Sequence, residues 1–248
     1  MNKLPRSSRL LYIVLFLFVF SMFGIYVVSA YSRRTSFRSE AGSCTLPTLI
    51  DSQIVLTPTS SDNVMDCSLE DITIASGGSL IIESYIDSNG EVEDDYGMEL
   101  LFRNLTIESG GYISASGYGY ESGSLDGVGN GEASLGGSGG SGGGYGGAGG
   151  EGESDGVEPS GSAGSSYGID YNPIYLGGAG GDSGDGGLGG RGGGAVKIVV
   201  SENLGLDGIV ESDGLDGELG GVFPDESSGG GGSGGVDIYN SGEFFRCG

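Results

Sequence analysis

The chain has 248 residues, of which 56 are glycine, 34 acidic and 10 basic, and it contains no histidine. The missing imidazole excludes Ser-His-Asp and Cys-His catalysis and His-ligated zinc or iron. A formal charge of −24 speaks against nucleic acid as a partner, because binding it requires cationic neutralisation of phosphate.

Charge and apolar residues are unevenly spread. Lys3, Arg6, Arg9, Arg33, Arg34 and Arg38 precede the first acidic residue, Glu40. The remainder carries all 34 acidic residues against Arg103, Arg191, Lys197 and Arg246. Lys3, Arg6 and Arg9 stand before an uncharged stretch from Leu10 to Ala30. That pattern predicts export through an N-terminal hydrophobic helix in residues 1–30. Val28-Ser29-Ala30 offers the small residues of a cleavage site, whereas the length of the stretch suits an uncleaved anchor. Arg33, Arg34 and Arg38 balance the upstream charges and leave orientation open. Membrane contact is expected only through residues 10–30, and only without cleavage.

Residues 31–43 read as a basic linker and residues 44–67 as a disulfide-closed cap. Cys44 and Cys67 bracket Pro47, Pro58 and a strand candidate at Ile54-Val55-Leu56. In an oxidising compartment they are expected to bond, closing a modest loop worth about 3 kcal/mol. Cys247 is left over; it pairs either between chains or with a later segment of a longer chain.

A repeat follows. Leu69-Glu70-Asp71-Ile72-Thr73-Ile74-Ala75-Ser76-Gly77-Gly78-Ser79-Leu80 matches Phe102-Arg103-Asn104-Leu105-Thr106-Ile107-Glu108-Ser109-Gly110-Gly111-Tyr112-Ile113 at an offset of 33. Period-two alternation marks strands, and each Gly-Gly pair marks a sharp turn. Weaker copies run from Val196 to Val210 and from Val236 to Phe244. The pattern predicts an all-β chain: a short right-handed β-solenoid-like stack over residues 68–116, resumed over 196–248. Ile72, Ile74, Leu80, Leu105, Ile107 and Ile113 are expected to face inward. A small β-sandwich with a long insertion is the alternative.

The interrupting tract, residues 117–195, has no Gly-X-Y period, which excludes a collagen triple helix. A flexible Gly/Ser linker is one reading. The other is a packed polyproline/polyglycine-II-like insertion, in which glycine lets backbones approach closely. Tyr145, Tyr167, Tyr171, Ile174, Tyr175 and Leu176 punctuate the tract as anchors would, which favours order.

Gly143-Gly144-Tyr145-Gly146-Gly147-Ala148-Gly149-Gly150 and Gly177-Gly178-Ala179-Gly180-Gly181 resemble glycine-rich surface modules. These include the polyglycine-II layers of phage tail-fibre adhesins, mycobacterial glycine-rich surface repeats, and extracellular β-solenoid proteins of microbes and protists. The resemblance implies an exposed fibrous, adhesive or matrix role. Heavy Asp and Glu decoration departs from that style.

No catalytic, cofactor-binding or metal-binding residue is assigned. Glu91, Glu93, Asp94 and Asp95 are the densest carboxylate cluster, the raw material of a glycoside-cleaving pair, although a solvated turn is the plainer reading. Gly144-Tyr145-Gly146-Gly147-Ala148-Gly149 fits the dinucleotide fingerprint by spacing, but neither a strand nor a helix flanks it. Gly177 to Asp182 imitates the opening of a calcium-binding β-roll and Asp126 to Glu132 that of an EF-hand, each with a defect. Asp182, Asp185, Asp213 and Asp216 are oxygen donors of the right hardness for calcium. Asn104-Leu105-Thr106 is a glycosylation sequon on an expected strand, with Asn104 outward. The expected function is a non-enzymatic extracellular structural or adhesive protein without cofactor. Its partner would be an extracellular protein or glycan, or further copies in a fibre or matrix. The alternatives are a carbohydrate-active β-helix enzyme using the clustered carboxylates and a calcium-responsive matrix component.

Overall fold

A computed structural model describes residues 42–59, 63–87, 89, 95–124, 129–135, 138–145, 148–154, 156, 160–167, 175–222, 225–240 and 243–245. The strands in chain order are β1 (Gly42–Ser43), β2 (Leu49–Ile50), β3 (Gln53–Leu56), β4 (Val64–Ile74), β5 (Ser79–Ile82), β6 (Met98–Ile107) and β7 (Tyr112–Ser114). There follow β8 (Ala195–Val200), β9 (Leu204–Leu206), β10 (Ile209–Glu211), β11 (Leu219–Val222), β12 (Asp225–Ser228), β13 (Gly235–Asn240) and β14 (Glu243–Phe245). An eight-stranded sheet runs β1-β4-β6-β8-β13-β14, with β2 also on β4 and β9 also on β6. A four-stranded sheet runs β10-β7-β5-β3, and β11 and β12 form a separate hairpin. Within the two larger sheets every pairing is parallel except β13 with β14.

This arrangement corrects the expected fold. The strands gather into parallel crossover sheets of the kind α/β proteins use, with no helix among the described residues, rather than into a regular right-handed solenoid-like stack. The physical reason lies in the connections. Parallel neighbours are separated by 24 residues (Leu49↔Thr73), 33 (Ile72↔Leu105), 99 (Leu105↔Leu204) and 40 (Val196↔Val236). A solenoid needs near-equal repeats, and only the β4–β6 and β5–β7 pairs keep the 33-residue offset that the sequence displays. Between β7 and β8 the described residues form no regular element, so the expected polyproline/polyglycine-II-like insertion is not present as one. The expected N-terminal helix falls outside the described residues.

The core follows from alternation. In a strand, alternate side chains share a face, and here successive strands place equivalent residues in register: Ile50, Ile74 and Ile107 in one row, Ile54, Leu80 and Ile113 in another. Ile72, Ile74, Leu80, Leu105, Ile107 and Ile113 are all buried, with Leu100, Phe102, Val196, Ile198 and Val200 completing the cluster. One position departs from the repeat. Sequence matching sets Leu69 against Phe102, but Cys67 pairs with Phe102 and the register shifts before Asp71. Leu69 is left 78% exposed while Cys67 is buried, because the Cys44–Cys67 disulfide holds the inward slot. The Gly-Gly turns behave as their chemistry requires. Gly77 and Gly110 have φ of 85° and 88°, a region that costs a side chain strain. A Cβ at Gly78 would overlap the carbonyl of Ile50.

Ile107 is fully buried beside Ile74. Ile107→Asp would place a carboxylate there without a cation and should destabilise by about 4 kcal/mol. Thermal denaturation checks this; an unchanged transition contradicts the core assignment.

Candidate functional site

The disulfide ties the N-terminal edge of the large sheet. Cys44 and Cys67 are bonded across 23 residues, immediately after β1 has paired Ser43 with Asp66. The constraint falls where two-residue strands have few hydrogen bonds of their own.

Among the described residues, the carboxylates singled out by sequence do not assemble. Glu91, Glu93 and Asp94 lie outside the described residues. Asp95 is buried and its Oδ1 accepts from the amide of Asp87 at 3.1 Å, bracing a loop closed by the Tyr85–Tyr96 bridge and their stacked rings. Asp182 accepts from the Gly189 amide at 2.8 Å and Asp185 from the Ser227 hydroxyl at 3.1 Å. Asp213 and Asp216 are exposed. Among the described residues no three potential metal ligands come together. Part of the dinucleotide-like glycine run, Gly146 and Gly147, lies outside the described residues, as do Asp126, Gly127 and Val128 of the EF-hand-like opening.

Asn104 sits at the centre of a polar ladder across three strands. Register places Asp71 beside it on β4, and the pairing of Leu105 with Leu204 brings Asn203 alongside. Asn104 Nδ2 donates to Asp71 at 2.7 Å and to Glu202 at 3.4 Å. Its Oδ1 accepts from the amide and the side chain of Asn203 at 2.9 and 2.7 Å. The nitrogen that a glycan would occupy is thus engaged with two carboxylates. Arg103 Nε donates to Asp71 at 2.7 Å. The Arg103 bond first, and then the Asn104 bond, hold the Asp71 carboxyl below its ordinary value of 3.8. A depressed folded-state value means that the contribution is present above the unfolded-state value and is lost as pH falls through the folded one.

The glycine tract holds the feature that sequence reasoning came closest to without resolving. Residues 177–184 exchange backbone hydrogen bonds with five separate segments. Tyr120 donates to Gly177, Gly131 to Ala179, Gly181 to Ser141, Gly180 to Gly190 and Gly230 to Gly181, at 2.8–3.0 Å. A strand in a flat sheet has two such neighbours; this one is surrounded. Side chains would block such approach, and a Cβ at Gly140, Gly180, Gly181, Gly189 or Gly230 would overlap a neighbouring carbonyl. Serines enter where a hydroxyl can replace a main-chain partner. Buried Ser141 lies 2.9 and 2.7 Å from the carbonyls of Glu132 and Ser162, which share its single hydroxyl proton, and Ser233 donates to that of Gly144 at 2.8 Å.

The layer is anchored by aromatic residues. Tyr120, Leu176 and Ala195 form a second buried cluster. Tyr145 meets Tyr167 edge to face at 5.2 Å, and the Tyr167 hydroxyl donates to the Leu176 carbonyl. Burial, reinforced by Tyr145, pushes that hydroxyl far above the usual phenol range. Tyr175 is half-buried, while Tyr171 and Ile174 lie outside the described residues. Arg103, Arg191 and Lys197 pair with Asp71, Glu121 and Glu99. Every basic residue among those described is therefore matched, and the excess charge on the surface is negative.

Two measurements follow from this geometry. Arg103→Gln should move the Asp71 midpoint up toward 3.8 in a residue-resolved acid titration; an unmoved midpoint contradicts the ladder. Gly180→Ala should destabilise by about 1–3 kcal/mol through backbone overlap. Gly150→Ala, with no atom within 4 Å of the added Cβ, should be neutral or slightly stabilising. Equal effects in chemical denaturation would refute close packing. No family model, curated protein or solved structure matches the chain.

Proposed function

We propose that the chain is a non-enzymatic extracellular structural or adhesive protein that presents a rigid acidic surface to a protein or glycan partner, or to further copies in a matrix. The observation that carries this reading is the enclosure of residues 177–184 by five backbone-bonded segments. Such a layer has a fixed main chain, so exposed Glu132, Glu151, Glu153, Asp213, Asp216 and Glu218 project from a firm support. A disordered acidic spacer would present nothing in a fixed pattern. Export through residues 1–30 rests on the basic and apolar N-terminal sequence, and the Cys44–Cys67 disulfide suits an oxidising compartment.

The test uses the full chain on beads, so that weak contacts add multivalently, against arrayed matrix proteins and glycans. Retention that weakens with salt, with no release of reducing sugars, is the expected outcome. Hydrolysis of a glycan, or absence of retention on every surface, would overturn the proposal.

A further inference from the structure

Both parallel sheets stop together at one edge. β9 pairs only with β6, and β10 is the terminal strand of the four-stranded sheet. The β13–β14 hairpin extends the large sheet over β8 and its first strand comes near β10, but among the described residues no strand pairs with the outer side of β9 or β10. Hydrogen bonds from this segment run inward. Leu105 donates to Asn203, Asp207 to Ile107, Ile209 to Gly111, and Ala115 to Glu211, at 2.9–3.1 Å. Successive residues of a parallel strand direct their main-chain groups to opposite sides, so those of Leu204, Leu206 and Val210 face outward.

The side chains tell the same story independently. The core rows Ile72–Leu105–Leu204, Ile74–Ile107–Leu206 and Leu80–Ile113–Val210 are buried on their earlier strands. On the last strands Leu204 and Val210 are only half-buried, and Leu206 is 42% exposed. Ile209 beside them is 58% exposed. Natural sheets blunt an open edge with Lys, Pro or a bulge, yet residues 201–213 contain no Lys, Arg or Pro. They carry Glu202, Asp207, Glu211 and Asp213 instead.

We propose that the β9–β10 edge is a docking site for an extended cationic segment of another protein, added as a further strand. Its apolar residues would complete the half-open core rows, and its Arg or Lys residues would meet the flanking carboxylates. Charge argues against a second copy as occupant, because the chain carries a net charge of −24 and the three basic residues among those described are already paired within it. The site stands on the edge alone and would hold in any compartment.

The experiment uses the full chain and a synthetic peptide of alternating valine and arginine, with glutamate in place of arginine as its control. Hydrogen exchange should be fast at Leu204, Leu206 and Val210 in the free chain and slow with the arginine peptide, but not with the glutamate peptide. Leu206→Lys places a cation in the last core row and should weaken peptide binding by about tenfold. Asp207→Lys, which leaves the core untouched, should weaken it by a similar factor and lower its salt sensitivity. Protection of these amides in the free chain would show that the chain covers its own edge and overturn the proposal. Protection that rises with protein concentration would assign the edge to a second copy, and binding unchanged in both variants would place the peptide elsewhere; either result also overturns it.

Discussion

Main chain touching main chain, with no side chain between, is the interaction on which this molecule depends. Nearly a quarter of its residues are glycine, and glycine pays the largest backbone entropy cost on ordering. That cost is offset only if its peptide groups find partners at close range. Around residues 177–184 they do, from several directions at once. The layer tolerates serine, whose hydroxyl can take the place of a peptide partner, as Ser141 and Ser233 do.

The glycine layer does not stand alone. β7 leads into it and β8 leads out, so the apolar sheets hold both of its ends. Tyr120, Leu176 and Ala195 pack at the junction, and the Gly194 amide donates to Ala115 at 2.7 Å. Hydrophobic burial thus fixes where the tract begins and ends, and hydrogen bonding fixes what lies between. Neither part replaces the other: the sheets supply the apolar driving force that glycine lacks, and the layer fills a long connection that would otherwise be loose chain.

Much of the sheet core was legible because period-two alternation is a direct imprint of burial. Ile72, Ile74, Leu105 and Ile107 were readable as inward, and the 33-residue offset is the actual pairing register between β4 and β6. The wider architecture was not legible, because a repeat of side-chain direction says nothing about how much chain intervenes. Leu69 shows a second limit: the repeat matches it to Phe102, but the disulfide and the register shift leave it at the surface while Phe102 is buried. The glycine layer was legible as a composition and illegible as a structure. Its specificity lies in which carbonyl faces which amide, and a run of identical residues carries no register. Asn104 shows a related limit: its sequon could be read and the 33-residue offset already sets Asp71 beside it, but Asn203 comes from a segment 99 residues further on that the sequence does not bring alongside.

The composition of the buried interior has a thermal consequence. Unfolding an ordinary domain raises heat capacity because newly wetted apolar surface dominates over peptide surface, which acts in the opposite sense. Here the interior of the glycine layer is largely peptide, with hydroxyls such as Ser141 in place of hydrocarbon. The heat-capacity increment per residue should then fall below the usual value of about 12–15 cal/mol/K. A smaller increment flattens the dependence of stability on temperature. Such a body would lose less on cooling than one held together by hydrocarbon alone, and its hold would change little over a broad range of temperature.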